Sequence, residues 1–368
     1  MSFDLYSLAS AGVSDLAPYR PGKPAAELER ELGLTDIVSL ASNENPLGPS
    51  PAALQAATAA LSGMTRYPDA AGFRLKAALR ERFGLASERL TLGNGSNELI
   101  SLAARVFVRP GEQIIYSEYS FIAYALAARF VDAEPVVVPA KDAGHDLDAM
   151  AAAIGEKTRL IFLANPNNPT GTWFTREQLV RFMDAVPPQV LVVLDEAYTE
   201  YVDPSAGLPD GLSLIDDYAN LIVLRTFSKA YGLAGLRVGF AVADPAVTDL
   251  MNRVRDPFNV NSAALAAAEA ALFDSEHLQK TLEVNRKGVA QLSEGFSQLG
   301  LGYLPTQGNF LLLDLKRPAQ PVFDALLREG VIPRPLAPYG LNDHLRVTVG
   351  LAEENRRLLV ALEKVLAC

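Results

Sequence analysis

Short apolar segments alternate with longer amphipathic ones between about residues 88 and 243, and this alternation constrains the fold more than any other feature. Several of the short segments are apolar on both faces, which is typical of strands covered by helices on both sides of a mainly parallel sheet. The seven strand-like segments are RLTL (89–92), QIIYSE (113–118), EPVVVPA (134–140), RLIFLAN (159–165), VLVVLDEAY (190–198), LIVLRTFS (221–228) and GLRVGFAVA (235–243). Helical segments lie between them, such as TREQLVRFMDAV (175–186), which a pair of prolines ends. The pattern predicts a large α/β domain with a mainly parallel seven-stranded sheet between helices.

The pattern changes after about residue 262. Alanine-rich sequence up to about residue 298 predicts one long helix, and two more helices are expected at about 320–330 and 352–366. Three strands are expected in this region, at NFLLLDL (309–315), VIPRP (331–335) and HLRVTVG (344–350). The sequence therefore predicts a large domain over 41–262 and a smaller α+β domain over 263–368. The first 40 residues are expected to form an arm or part of the smaller domain.

Composition excludes several classes of protein. The chain has 368 residues with 33 Lys and Arg against 43 Asp and Glu, a net charge of −10, so nucleic acid is an unfavourable partner. Cys368 is the one cysteine, which excludes an intrachain disulfide and a cysteine-based metal cluster. His145, His277 and His344 do not have the spacing of metal ligands. No basic leader and no uncharged apolar run of about 18 residues is present, so we expect a cytoplasmic protein without a membrane span.

A Gly-rich turn follows the first strand-like segment, in LTLGNGSNELISLAARVF (90–107). Ser96 stands where a helix takes its N-cap, and apolar residues recur at helical spacing after it. The free N–H groups at such a helix start, together with the helix dipole, suit a phosphate. By itself the segment is better explained as an ordinary strand–turn–helix connection. Gly93 and Gly95 lack the third glycine of the dinucleotide fingerprint.

Polar residues follow three further strand-like segments. Asn168 lies in NPNNPTG, Asp195 and Tyr198 in DEAY, and Lys229 and Arg237 in SKAYGLAGLR. Each has an ordinary explanation when taken alone: a tight turn, a helix-capping carboxylate and a surface lysine. Because parallel strands bind ligands at their carboxyl ends, we expect these side chains to meet at one edge of the sheet.

This combination matches the requirements of pyridoxal 5'-phosphate. Lys229 would attach the cofactor as a Schiff base, and Asp195 would keep the pyridine nitrogen protonated. Arg237, Ser228 and the turn at Gly95 would hold the phosphate.

The order GNGSNE, NPNNPTG, DEAY and SKAYGLAGLR resembles that of the fold-type I pyridoxal-phosphate aminotransferases. More narrowly, four segments resemble the histidinol-phosphate aminotransferases: PYRPGKP (18–24), SNENPLGPSP (42–51), RYPD (66–69) and GVIPRPLAPYGLNDHLRVTVGLAEEN (330–355). The resemblance covers nearly the whole chain. It implies transamination between histidinol phosphate and 2-oxoglutarate in histidine biosynthesis, pyridoxal phosphate as cofactor, and a homodimer with shared active sites.

The resemblance also implies a role for each matching residue. Lys229, Asp195 and Tyr198 form the implied catalytic set, in which Lys229 carries the proton between substrate and cofactor. Asn168 and Tyr198 would hydrogen-bond the ring oxygen of the cofactor, and Tyr119 would stack on its ring. The residues implied at the cofactor phosphate are Gly95, Ser96, Asn97, Thr226, Ser228, Arg237 and, from the neighbouring subunit, Tyr67.

For the substrates, the resemblance implies Arg346 as the residue that binds the acidic group. A guanidinium fork can take a carboxylate or a phosphate in bidentate geometry, so one arginine can serve both half-reactions. Tyr19 and Arg334 would assist Arg346, and Asn168 and Tyr67 would also contact the substrate. For Arg334, a plain surface arginine beside a Pro-rich turn is an equally good interpretation.

Three alternatives remain open at this point. An aromatic or broad-specificity aminotransferase would use the same catalytic set, and a phospho-amino-acid decarboxylase shares NPNNPTG. A non-catalytic ligand sensor would need an appended DNA-binding module, for which the sequence offers no helix-turn-helix candidate. The PYRPGKP segment and the C-terminal segment favour histidinol phosphate over the first two, and the net charge of −10 also argues against the third.

Overall fold

The structure is a computed structural model that describes residues 5–14, 16 and 23–367. Its strands are β1 Val38–Ser39, β2 Leu90–Gly93, β3 Gln113–Ser117, β4 Glu134–Val138, β5 Thr158–Ala164, β6 Leu191–Asp195, β7 Leu221–Thr226, β8 Gly239–Val242, β9 Gly302–Tyr303, β10 Phe310–Asp314, β11 Val331–Ile332, β12 Arg334–Leu336 and β13 Leu341–Thr348. Its α-helices are α1 Ala11–Ser14, α2 Ala25–Leu32, α3 Pro51–Ala60, α4 Phe73–Phe83, α5 Ser96–Phe107, α6 Ile122–Phe130, α7 Leu147–Ala152, α8 Arg176–Ala185, α9 Pro245–Val254, α10 Ser262–Phe273, α11 Ser275–Gln298, α12 Ala319–Arg328 and α13 Ala352–Leu366.

A seven-stranded sheet with the order β2-β8-β7-β6-β5-β3-β4 forms the centre of the molecule. The strands from β7 to β4 are parallel, whereas β8 runs antiparallel to both of its neighbours. Strands β6 and β7 are almost wholly buried, and one apolar cluster packs on each face of the sheet. Residues apolar on both faces therefore lie where the sequence predicted them, and the mainly parallel seven-stranded sheet is confirmed.

The carboxyl ends of three neighbouring strands define the edge at which polar residues collect. Ala164 at the end of β5 pairs with Asp195 at the end of β6, and β7 ends beside them at Thr226. Because all three strands are parallel, the loops that follow them leave from the same edge of the sheet. The helix predicted over 175–186 is α8, whose N-cap Thr175 forms a capping box with Gln178.

A second sheet has the order β12-β13-β10-β9 and is antiparallel throughout. It packs with α11, α12 and α13 around a cluster of its own. Strand β1 pairs with β11, and Leu28 of α2 packs with Ile332 of β11. The segment before the large sheet is thus joined to the C-terminal unit by both pairing and packing.

The prediction of one long helix up to about residue 298 is wrong. Asp274 lies outside helical geometry between α10 and α11, and its side chain accepts from the N–H of His277 as the N-cap of α11. The buried alanines of α10 pack against α3 and α4 in a cluster of the large sheet. The division into domains stays a prediction, and this packing favours a boundary near Asp274 over one at residue 263. No helix in the described part of the chain combines the length and the apolar character needed to cross a bilayer.

Candidate active site

A cavity of about 220 Å³ lies at the carboxyl ends of β5, β6 and β7 and reaches to β12 and β13 of the second sheet. Most of the residues that the sequence predicted for a site line this cavity. They are Ser96, Asn97, Asn168, Asp195, Tyr198, Thr226, Ser228, Lys229, Arg237, Arg334 and Arg346. Residues more than 200 positions apart in the chain thus meet in one place.

The residues 93–97, which we call the phosphate turn, form one end of the cavity together with Arg237. Gly95 has a positive φ of 79°, and a Cβ placed on it would lie 2.5 Å from Nη2 of Arg237. The glycine therefore lets the guanidinium group lie directly against the start of α5 at Ser96. Nη1 of Arg237 also donates to Oγ of Ser228 at 3.4 Å. A helix start, a guanidinium group and a hydroxyl group at one point form an anion site.

Thr226 hydrogen-bonds Ser228 at this end of the cavity. Its hydroxyl group accepts from the backbone N–H of Ser228 at 3.2 Å and donates to Oγ of Ser228 at 3.0 Å. Thr226 therefore fixes the orientation of the serine that Arg237 contacts.

Asp195 lies at the centre of the cavity, at the end of β6, and its side chain is buried. Its Oδ2 atom accepts from the hydroxyl group of Tyr124 at 3.0 Å, whereas Oδ1 is buried without a hydrogen-bond partner in the described residues. Burial raises the pKa of the Asp195 carboxyl group to about 6. A buried carboxylate oxygen without a partner is costly, so the site is suited to a ligand that carries a positively charged N–H at this position. A protonated pyridine ring has that group.

Lys229 also lines the cavity, with its amine over the ring of Tyr198. Its Nζ atom donates to the backbone oxygen of Ser42 at 3.0 Å and lies 5.9 Å from the centroid of the Tyr198 ring. Burial, followed by the positive charge of Arg346, lowers the pKa of Lys229 to about 8. The neutral amine is both the nucleophile and the base, so this shift favours reaction with a carbonyl group near neutral pH.

Tyr198 is buried, and burial raises the pKa of its hydroxyl group to about 12. The hydroxyl oxygen accepts from Nδ2 of Asn43 at 2.9 Å. Tyr198 therefore stays protonated at neutral pH and keeps a hydrogen to donate into the cavity.

Two arginines, which we call the arginine pair, form the other end of the cavity. Arg346 of β13 is buried, and it donates from Nη1 to Oδ1 of Asn168 at 2.6 Å and from Nη2 to the backbone oxygen of Ala41. Arg334 of β12 lies directly opposite Arg346 in the strand register and also lines the cavity. Two positive charges side by side at a cavity wall favour an anionic ligand group. Arg334 is half-buried at this wall, which favours the assisting role over a plain surface position, and that role stays a prediction.

The predicted stacking role of Tyr119 is wrong, because Tyr119 does not line the cavity. Its backbone has a positive φ of 54°, and its side chain packs against the cluster of Leu312, Leu336 and Leu341. The aromatic residue on the cavity wall is Phe121, two positions later.

Two other predicted residues do not line the cavity wall. Gly95 lies behind Arg237, which its missing side chain accommodates. Tyr67 is 82% exposed and stacks on Phe258 with 4.6 Å between ring centroids. Tyr19 lies outside the described residues.

The sequence analysis missed Tyr124 and Asn43, which hydrogen-bond Asp195 and Tyr198. Tyr124 follows Phe121 at a spacing of three, which places both on one face at the start of α6. That spacing could have indicated Tyr124 from the sequence. Asn43 offered no such signal, because it lies 155 positions from its partner.

Comparison with known proteins points to the same family that the motifs of the sequence resemble. Residues 35–362 match the family model of the class I and II aminotransferases. Histidinol-phosphate aminotransferase 2 of Pseudomonas fluorescens (strain Pf0-1) is 56% identical over 369 residues, with 100% of each chain covered. Histidinol-phosphate aminotransferase 1 of Nitrosococcus oceani is 54% identical, with 98% of this chain and 97% of the relative covered.

Solved structures agree with these relatives. The crystal structure of histidinol-phosphate aminotransferase from Sinorhizobium meliloti in complex with pyridoxal-5'-phosphate superposes with a TM-score of 0.89 at 31% identity and covers 98% of both chains. Aspartate aminotransferase from Thermus thermophilus with maleate has a TM-score of 0.81 at 22% identity, with 94% and 97% covered. The second likeness concerns the fold alone.

Proposed function

The chain belongs to the class I and II aminotransferases, and from that membership we propose that it transfers an amino group between histidinol phosphate and 2-oxoglutarate, a step of histidine biosynthesis, with pyridoxal 5'-phosphate as cofactor. In the biosynthetic direction, imidazole acetol phosphate and glutamate give histidinol phosphate and 2-oxoglutarate. One observation carries the proposal: Lys229, the free oxygen of Asp195 and the anion site at Arg237 share one cavity with the arginine pair. The first three suit the cofactor, and the arginine pair suits an anionic substrate.

Asp195 has the task of holding the ring nitrogen of the cofactor. Tyr124 occupies Oδ2, which leaves Oδ1 to accept from a protonated ring nitrogen. A cation at that position favours the ionised carboxyl group and so opposes the effect of burial on its pKa. When bound, pyridoxal phosphate supplies an electron sink that stabilises negative charge at the substrate carbon.

Lys229 has the task of moving the proton. Its Nζ atom takes the proton from the substrate carbon and returns it at a neighbouring atom, acting as a tethered base at high effective concentration. A pKa of about 8 places this amine near the operating pH. Tyr198 and Asn168 orient the ring through their hydroxyl and amide groups.

The arginine pair has the task of recognising both substrates. Histidinol phosphate has no α-carboxylate, so its phosphate would take the position that a carboxylate of glutamate takes in the other half-reaction. The guanidinium group of Arg346, which Asn168 and Ala41 hold in place, can bind either the carboxylate or the phosphate. Arg334 adds the second positive charge that a dianionic phosphate needs.

The homodimer with shared active sites also belongs to this proposal. Tyr67 and Phe258 form an exposed aromatic stack, and exposed Leu61, Met64 and Phe73 lie nearby in the chain. Exposed apolar side chains of this size favour burial against a second copy of the chain. In that arrangement Tyr67 would reach the cofactor phosphate of the partner subunit. The cytoplasmic location stays a prediction.

A single half-reaction tests the proposed function. Histidinol phosphate or phenylalanine is added separately to the cofactor-loaded enzyme without keto acid, and the visible absorbance of the bound cofactor is followed. Fast conversion by histidinol phosphate alone supports the proposal. Comparable rates with phenylalanine would mean a broad aromatic aminotransferase, and a purified protein that binds no cofactor would contradict both.

A further inference from the structure

The segment between α9 and α10 runs past the phosphate turn and carries Phe258 and Asn259. Phe258 has a positive φ of 57° and is exposed, stacked on Tyr67. The next residue, Asn259, points in the other direction, into the protein beside the phosphate turn. Neither the motifs of the sequence nor the lining of the cavity assigns Asn259 a role.

All of the hydrogen-bonding groups of the Asn259 amide are used. Its Oδ1 atom accepts from Nη1 of Arg255 at 2.5 Å. Its Nδ2 atom donates to Oε2 of Glu98 at 2.6 Å and to the backbone oxygen of Leu92 at 3.0 Å. The amide therefore has one orientation, with its NH₂ group toward Glu98 and toward the strand that enters the phosphate turn.

Glu98 connects that amide to the turn itself. The same Oε2 atom accepts from the backbone N–H of Asn94 at 2.5 Å. Glu98 is the third residue of α5 and reaches back past the N-cap Gly95 to Asn94, one residue before the N–H group that the glutamate of a capping box binds. The position of Asn94 is thus fixed by an oxygen that Asn259 holds.

The negative charge of Glu98 also bears on the binding of an anion. A carboxylate beside an anion site would repel a phosphate if its side chain turned toward the cavity. Here Glu98 does not line the cavity, and Asn259 links it to the positive charge of Arg255 on its far side. The same contacts hold the turn in place and keep the negative charge of Glu98 away from the ligand.

We propose that Asn259 and Glu98 are positioning residues that hold the phosphate turn for the phosphate of the cofactor. They act through Asn94, which sets where the N–H groups at the start of α5 point and where Arg237 lies on Gly95. This inference deepens the proposed function and rests on its assignment of the cofactor. It assigns the two residues an effect on the phosphate group and not on the ring.

The test compares the affinity of the apoenzyme for pyridoxal phosphate with its affinity for pyridoxal, which has the same ring without the phosphate. Asn259→Ala should weaken pyridoxal phosphate about tenfold, the effect of one hydrogen bond to a charged group, and leave pyridoxal unchanged. Glu98→Ala should have a similar effect, whereas Glu98→Gln keeps the accepting oxygen and should stay within about threefold of the parent. Asn259→Asp should weaken the binding of pyridoxal phosphate the most, about a hundredfold, because its new carboxylate then faces that of Glu98.

Asn252→Ala is the matched control. Asn252 is a partly buried asparagine that also contacts Arg255 and donates to Thr91 of β2, yet it does not touch the phosphate turn. It should leave both affinities unchanged. Amide hydrogen exchange in the apoenzyme gives a second measurement that needs no cofactor: Asn259→Ala should speed exchange at residues 94–97 and Asn252→Ala should not.

The outcomes separate the two proposals. If the parent enzyme binds pyridoxal as tightly as pyridoxal phosphate, the assignment of the phosphate site and with it the proposed cofactor fail. If the parent prefers the phosphate but Asn259→Ala keeps that preference and the parent's exchange rates, the positioning role is wrong. An equal loss for both ligands would likewise contradict it, since it would mean general damage to the site. If Asn259→Asp does not fold, Asn259→Ala and Glu98→Ala still test the positioning role.

Discussion

The two ends of the cavity are built in different ways. The cofactor end consists of strand ends and helix starts of one sheet, at β2, β6 and β7, and the side chains that hold its anion site, Thr226, Ser228 and Arg237, come from one short stretch of the chain. The substrate end consists of the arginine pair on a hairpin of the second sheet, and Arg346 is held by Ala41 and Asn168, 305 and 178 positions away. Changes at the first end should therefore alter the chemistry for every substrate. Changes at the second should alter the choice between substrates.

The largest effect is expected from Lys229→Ala. Loss of the amine removes the base that moves the proton, so turnover should fall by about 10⁴-fold or more with every substrate. The measurement is steady-state turnover together with circular dichroism, which should show an intact fold. Lys280→Ala is the control, because Lys280 is an exposed lysine of α11 that pairs with Glu276 and does not line the cavity. Retained multiple turnover in Lys229→Ala would remove Lys229 from its role.

Asp195→Asn should reduce turnover by about 10² to 10³-fold, the range for removing one partner of a buried charge pair. The amide has the shape of the carboxyl group but no charge to hold a protonated ring nitrogen. Because the loss occurs at the cofactor end, histidinol phosphate and its phosphate-free analogue histidinol should lose the same factor. A loss confined to one of the two would place Asp195 in substrate recognition instead.

Arg346→Lys, unlike Asp195→Asn, should affect the two substrates differently. Lysine keeps the charge but loses the fork, so the KM for histidinol phosphate should rise about 10- to 100-fold while that for histidinol changes little. The preference for the phosphorylated substrate therefore shrinks, and Arg334→Lys should shrink it as well. Arg317→Lys, at an exposed position of the same unit, is the matched control. If Arg346→Lys weakened both substrates equally, the two ends would not be separate in function.

The same contrast explains how much of the site the sequence predicted. Local pattern and the topology of parallel strands were enough for Asp195 and Lys229, which lie at the ends of β6 and after β7, whereas Arg237 comes to the same edge because it precedes the antiparallel strand β8. The error at Tyr119 came from backbone geometry, because its positive φ turns the ring away and leaves Phe121 on the wall. Asn43 was missed because its contact with Tyr198 exists only after two distant segments have packed.

The break between α10 and α11 was missed for a related reason. The alanine-rich sequence continues the helical pattern, and the side chain of a single aspartate decides that a new helix begins. An aspartate is compatible with a helix interior at small cost, so its presence did not require a break. Packing of α10 on α3 and α4, which no local pattern encodes, requires the chain to turn there.

The smallest effect is expected from Tyr124→Phe, and it tests how the cofactor end is tuned. The ring of Tyr124 stacks on Phe162 at 4.7 Å, which phenylalanine retains, so the change removes only the hydrogen bond to Asp195. That bond favours the ionised carboxyl group and opposes burial, which raises the pKa of Asp195 to about 6. The affinity of the apoenzyme for the cofactor should therefore fall as the pH drops through about 6 in the parent, and the fall should begin at a higher pH in Tyr124→Phe.

The measurement is the dissociation constant of pyridoxal phosphate between pH 5 and 8 for both proteins, because the cofactor's own titration is then common to them. Above pH 7.5 the two constants should agree within about threefold, since Asp195 is ionised in both and one neutral hydrogen bond contributes about 1 kcal/mol or less. Tyr116→Phe, which alters a tyrosine of β3 outside the cavity, should keep the parent profile. An unshifted profile in Tyr124→Phe would mean that Tyr124 contributes only packing and that the ionisation of Asp195 does not depend on this hydrogen bond.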